Sequence, residues 1–138
     1  MADWKVLETI EKQYLSEVAK LGELCVRLEL PYSPEELLEL SGLSIGTYKV
    51  RRGGRTYHYI KLMGVRTGEL SDREETWLVR RPTDDRERER RLRKETVHLK
   101  NLKLTPQNKE LVEELHYYWQ RAKALLKWLH LVRGSGEI

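Results

Sequence analysis

The sequence predicts an α+β fold in which two long amphipathic helices, paired antiparallel, frame a small antiparallel β-hairpin or sheet and short helices. Two observations carry this. Apolar residues recur at alternating three and four spacings near both ends of the chain, as a helix with one buried face requires. Between them lies an alternating aromatic run interrupted by Gly53-Gly54, the signature of a two-residue hairpin. At 138 residues, the chain suits one domain with a modest core.

The first helix is predicted over 4–30. Leu7, Ile10, Tyr14, Leu21, Leu24 and Leu28 form its stripe, with Trp4, Val18 and Cys25 widening it. Glu17 stands where the next apolar residue is due. Pro31 ends the helix, and Ser33-Pro34-Glu35-Glu36 opens a short one over 34–41 with an N-cap serine, a proline at the first helical position and a glutamate at the third.

A hairpin is predicted over 46–63. A Gly-Gly loop permits the positive φ angles of the primed turns, so pairing runs outward from it. Arg52 faces Arg55, Val50 faces Tyr57 and Tyr48 faces Tyr59 on one side; Arg51 faces Thr56, Lys49 faces His58 and Thr47 faces Ile60 on the other. The ordinary expectation is that the aromatic side packs on the helices and leaves the cationic side in solvent.

Residues 64–104 read as a charged insertion. Met63–Gly68 is expected as a loop, and Ser71–Glu74 has capping-box form ahead of a helical turn or third strand over 76–80. Pro82–Asp85 is a start signal for a mixed-charge helix through Lys94. Arg86, Arg90, Arg93 and Lys94 would lie near one side of it as additional phosphate contacts, or as a solvated face laced with pairs such as Glu87–Arg91. Thr96–Leu104 alternates weakly, as a strand or a connector. The last helix is predicted over 106–133: Thr105-Pro106 starts it, Gly134 ends it, and Leu111, Leu115, Tyr118, Ala122, Leu125, Leu129 and Val132 form an unbroken heptad stripe. That stripe packs on the first helix or on a second copy, which allows a homodimer, and exposure of Trp119 or Trp128 would mark a protein interface, as in a coiled-coil assembly subunit of a larger nucleoprotein complex.

Charge is segregated. The net is +4, yet residues 1–45 carry 4 basic and 9 acidic groups, while 46–68 carry 6 basic groups and no carboxylate. A solvated strand face normally mixes signs, so the cations Lys49, Arg51, Arg52, Arg55, Lys61 and Arg66, with Tyr57, His58 and Tyr59, imply a polyanionic partner, DNA or RNA. Cys25 is the sole cysteine, which excludes an intrachain disulfide or cysteine-built zinc site and suits a reducing cytoplasm. No signal-like or membrane-spanning run is present. Abundant charge with scarce Asn, Gln, Cys and Met is a bias of proteins from hot environments.

Catalytic signatures are missing. His58, His98, His116 and His130 are scattered without metal-ligand spacing, Gly53-Gly54 opens no helix, and Asp84-Asp85 is better read as complementing a helix dipole than as a magnesium site. No catalytic residue, metal or cofactor is predicted, and the chain reads as non-enzymatic.

Gly42–Tyr48 resembles the turn and early recognition helix of helix-turn-helix DNA-binding proteins, although Leu38 replaces a small residue and the helix would run into Gly53-Gly54. The order of a heptad-like helix, then Gly46–Lys61, then Leu111–Trp119 opening a long helix resembles a family of small uncharacterised prokaryotic proteins encoded near mobile elements. That family often carries a cysteine-rich stretch before the hairpin and lacks an insertion at 64–103. The hairpin is also similar to the arm-site DNA-binding domain of tyrosine recombinases, without their catalytic Arg and His-x-x-Arg set. These resemblances imply nucleic-acid binding and supply no activity.

Overall fold

In the computed structural model, residues 4–68 and 93–136 are described, with side chains for 4–67 and 95–132. The elements in chain order are α1 (Trp4–Arg27), α2 (Pro34–Leu38), β1 (Gly42–Arg52), β2 (Arg55–Gly68), β3 (Arg93–Lys103) and α3 (Pro106–Gly136). The chain is α+β, and the sheet is a three-stranded antiparallel meander with β2 in the centre.

Local chemistry sets the helix ends. In α1, Leu30 N–H donates to Cys25 O at 2.9 Å and Glu29 N–H to Val26 O at 3.0 Å, with Glu29 at φ 53°. This is the paired C-terminal cap that usually uses glycine, and it stops α1 before Pro31. The Ser33–Glu36 capping box forms as expected. At α3, Thr105 Oγ1 accepts from Asn108 N–H at 3.1 Å, ahead of Pro106.

α1 and α3 run antiparallel, because Thr9, Ile10 and Gln13 share a groove with Ala124, Leu125 and Trp128 while Glu17 meets Arg121. The break in the α1 stripe is an interhelical ion pair. Glu17, only 5% exposed, accepts from Arg121 Nε at 2.8 Å and from Gln13 at 3.3 Å. That bond raises the Arg121 pKa, with the nearby Glu17 charge adding to it. The core joins Leu21 and Leu24 of α1 and Leu28 just after it to Leu37 and Leu38 of α2, Val112, Leu115 and Trp119 of α3, and Ile60, Leu62 and Leu99 of the sheet.

The sheet departs from expectation in two places and settles one open alternative. Met63–Gly68 is not a loop but the continuation of β2, and Gly64 is demanded there because a Cβ would lie 2.6 Å from Leu40 Cδ1. Of the two readings of Thr96–Leu104, the strand forms, as the part of β3 up to Lys103, and its alternation is broken by a bulge: Leu62 pairs with Lys100 and Met63 with His98, leaving Leu99 extra and buried in the core. Arg93 and Lys94 sit in β3, opposite Gly68 and Thr67, and not on a charged helix. The segments expected over 71–80 and 82–92, with Asp84, Asp85, Arg86 and Arg90, lie outside the described residues. Residues 42–52 form β1, so the recognition helix of a helix-turn-helix is replaced by a strand.

Candidate nucleic-acid interface

The hairpin forms in the register read from the sequence. Gly53 and Gly54 have φ 57° and 76°, and Arg52 pairs with Arg55, Val50 with Tyr57, Tyr48 with Tyr59, Arg51 with Thr56 and Lys49 with His58. Positive φ at both turn positions matches the right-handed twist of the strands.

Which face meets the helices is the reverse of the ordinary expectation. Ile60 and Leu62, 1% and 0% exposed, point into the core, and directly paired residues share a face. The helix side therefore carries Thr47, Lys49, Arg51, Thr56 and His58 in line with Ile60. Tyr48, Val50, Tyr57 and Tyr59 line the opposite, outer face, to which none of the buried core side chains on β1 and β2 belongs.

Beyond β3 the hairpin becomes a free arm. The last β3 partner is Lys103, opposite Tyr59, and Leu104 N–H donates to His58 O at 2.9 Å. From Tyr59 to Arg55 the two-stranded ribbon continues alone for roughly 13 Å, at about 3.3 Å per residue. Lys49, Arg51, Arg52, Arg55, Thr56, Tyr57 and His58 are all exposed on it. On its helix-side row Lys49, Arg51, Thr56 and His58 are exposed, as are Arg52, Arg55 and Tyr57 on its outer row.

Lys61 lies on the outer face, between Gly46 of β1 and Asn101 of β3. Arg66 does not join the cluster. It is exposed on the helix side, opposite Glu95, and eleven residues along β2 from Arg55, roughly 36 Å. Two outer-face residues were not singled out from the sequence. Tyr48 stacks on Tyr59 with ring centroids 5.3 Å apart and planes 19° from parallel, and Lys103 pairs with Tyr59 from β3. The cross-strand pairing already implied Tyr48; Lys103 required the register of a strand that a bulge conceals.

The helical aromatics separate. Trp119 is buried at 6% exposure and donates from Nε1 to Leu37 O at 2.7 Å, so it anchors α2 and does not face a partner. Trp128 is 59% exposed. It belongs to a second stripe on α3, Tyr117, Arg121, Ala124, Trp128 and Leu131, with the same four-three spacing as the core stripe and all exposed. Arg121 donates to Tyr117 Oη at 3.1 Å within it.

Elsewhere, Cys25 is buried and its thiol pKa is pushed up to about 11 by desolvation, with Glu35 adding to the shift. It is a protonated core residue at neutral pH. Among the described residues no three His, Cys, Asp or Glu side chains converge on a possible metal position, and no helix is long and apolar enough to cross a membrane. His98 Nε2 is engaged by Asn101 Oδ1 at 2.8 Å, and His116 stacks on Trp119. Comparison with protein-family models, curated proteins and solved structures found no match.

Proposed function

We propose that the chain is a non-catalytic nucleic-acid-binding protein whose projecting hairpin arm contacts phosphates through Lys49, Arg51, Arg52 and Arg55. The observation that carries this is a ribbon free on both faces, with every cation exposed and no carboxylate anywhere in residues 46–68. Arginine at the tip suits phosphate because its planar fork donates two parallel hydrogen bonds and is never deprotonated. An exposed strand pair of like charges costs stability, as at Arg52 opposite Arg55, and a polyanion relieves that repulsion.

The test is fluorescence anisotropy of labelled oligonucleotides across a salt series. Binding is expected at roughly 0.1–0.15 M salt, with a log–log slope between about −2 and −5 for the handful of phosphates an arm of this size can reach. Absence of binding to every oligonucleotide at that salt removes the reading.

The exposed stripe of α3, which borders the groove shared with α1 at Arg121, Ala124 and Trp128, favours a second reading, in which helices of two copies pack together. Tyr117, Trp128 and Leu131 are 51%, 59% and 62% exposed at coiled-coil spacing. Light scattering should then give a dimer mass, lowered to the monomer mass by Trp128→Ser with Leu131→Ser. A wild-type monomer at tens of micromolar ends this alternative.

A further inference from the structure

The outer face of the sheet offers a chemistry that the arm's cations do not explain. It presents Tyr48, Tyr57 and Tyr59 on the side away from the helices. The fold does not need these rings for its core, because the apolar layer under the helices is completed by Ile60, Leu62 and Leu99. Tyr57 is 41% exposed, and Tyr48 and Tyr59 are half-buried against each other.

Charge surrounds the rings. Lys61 follows Tyr59 on the same face of β2, Lys103 pairs with Tyr59 from β3, and Arg52 and Arg55 close the other end. No Asp or Glu occupies a position of this face between Ser44 and Arg52 or between Arg55 and Val65. Gly46 adds a second observation. It pairs with Lys61 beside Tyr48, its φ is not in the left-handed range, and a Cβ there would meet nothing within 4 Å. Neither backbone nor packing calls for glycine at that point of a strand, where it weakens the sheet. Its effect is to leave the flank of the tyrosine stack open, as a close approach by another flat group requires.

We infer that this face is a base-stacking platform for single-stranded nucleic acid, running from the arm across Tyr48 and Tyr59 towards Lys61 and Lys103. The inference rests on the reading of the chain as a nucleic-acid binder and names the form of nucleic acid. In a duplex the bases are already stacked on one another and present only their edges in the grooves, so flat tyrosine faces have nothing to stack on. In a single strand each base has a free π-face, and lysines beside the rings hold the backbone without reading sequence. The competing account is that Tyr48–Tyr59 is an ordinary cross-strand pair that only stabilises the hairpin. That account explains neither the surrounding cations nor the missing side chain at Gly46.

The decisive experiment measures anisotropy of a labelled 20-nucleotide oligo-dT, an oligo-U and a 20-base-pair duplex at one salt concentration near 0.15 M, for wild type, Tyr48→Ala, Tyr59→Ala, Tyr59→Phe and Gly46→Val. Single strands are expected to bind at least about 10-fold more tightly than the duplex, and each alanine to cost single-strand binding about 10-fold or more. Tyr59→Phe keeps the ring and should stay within about 3-fold of wild type. Gly46→Val adds a strand-favouring side chain in open space, so its melting temperature should hold while single-strand affinity falls about 5-fold or more. This variant decides the matter if an alanine variant fails to fold. Duplex binding equal to or tighter than single-strand binding, or single-strand affinity unchanged in Gly46→Val, overturns the platform and leaves the phosphate-contacting arm standing. Failure of all three nucleic acids to bind overturns both.

Discussion

Alanine at Arg51, Arg52 and Arg55 together should weaken nucleic-acid binding by about 50-fold to 170-fold at 0.15 M salt, with a log–log salt slope shallower by about 2 to 3. Each phosphate neutralised by an arginine releases counterions and contributes about −0.7 to the slope on a single strand and −0.9 on a duplex. Three contacts therefore sum to roughly −2.1 to −2.7, and extrapolation from 1 M to 0.15 M salt converts that to the affinity loss given. The fold should not suffer. All three residues are exposed on a ribbon beyond the end of β3, and Arg52 faces Arg55 across the turn, so removing both relieves a like-charge pair. The melting temperature should stay level or rise slightly. A variant that matches wild type in affinity and slope would mean that the arm does not touch phosphate. A uniform loss of affinity with an unchanged slope would mean that the substitutions act through shape and not charge.

The hairpin register was legible because the information is local. Two glycines fix a primed turn, and once the turn is fixed every pair outward to Gly42–Val65 follows. Which face is covered is not local. It depends on where α1, α2 and α3 lie, and the rule that aromatics go inside chose the wrong side, because the chain fills its core with Ile60, Leu62 and Leu99 instead of Tyr48 and Tyr59. β3 was obscured for a related reason. Its core-side apolar residues are Val97, Leu99 and Leu102, spaced two and then three, because the bulge opposite Leu62 and Met63 inserts a residue and breaks the period of two on which strand reading relies. The run Met63–Gly68 looked like a loop because it contains two glycines, of which Gly64 is there to admit Leu40.

The helices were legible from periodicity, and the break in the pattern was as informative as the pattern. Glu17 interrupts the α1 stripe at the point where Arg121 crosses from α3, so the charge sets the register of the two helices against each other. The exposed stripe on α3 is not separable in the sequence because the core stripe of Leu111 through Val132 already accounts for the spacing. Two heptad faces on one helix are separable only when one of them is covered.

The largest stability effect is expected at Trp119. Trp119→Ala should lower the unfolding free energy by about 3–5 kcal/mol, seen as a fall in the urea midpoint with the slope m unchanged. The side chain is 6% exposed within the core that α3 shares with α1, α2 and the sheet, where its removal leaves a cavity larger than the neighbouring leucines can fill. It also holds α2, a helix of five residues that cannot be stable alone. Trp119 Nε1 donates to Leu37 O at 2.7 Å, and Lys123 Nζ donates to Leu38 O at 3.0 Å from 5.8 Å over the Trp119 ring. The indole therefore supplies both a donor to the end of α2 and the surface on which Lys123 lies. Trp119→Phe separates packing from hydrogen bonding. It keeps most of the buried ring but not the donor, and Leu37 O still accepts from Leu40 N–H at 3.2 Å, so the loss should be about 1–2 kcal/mol. If alanine and phenylalanine cost the same, the hydrogen bond and not the volume would be what fixes α2. If alanine costs less than about 1 kcal/mol, Trp119 is not part of the core and the junction of α2 with α3 must be drawn differently.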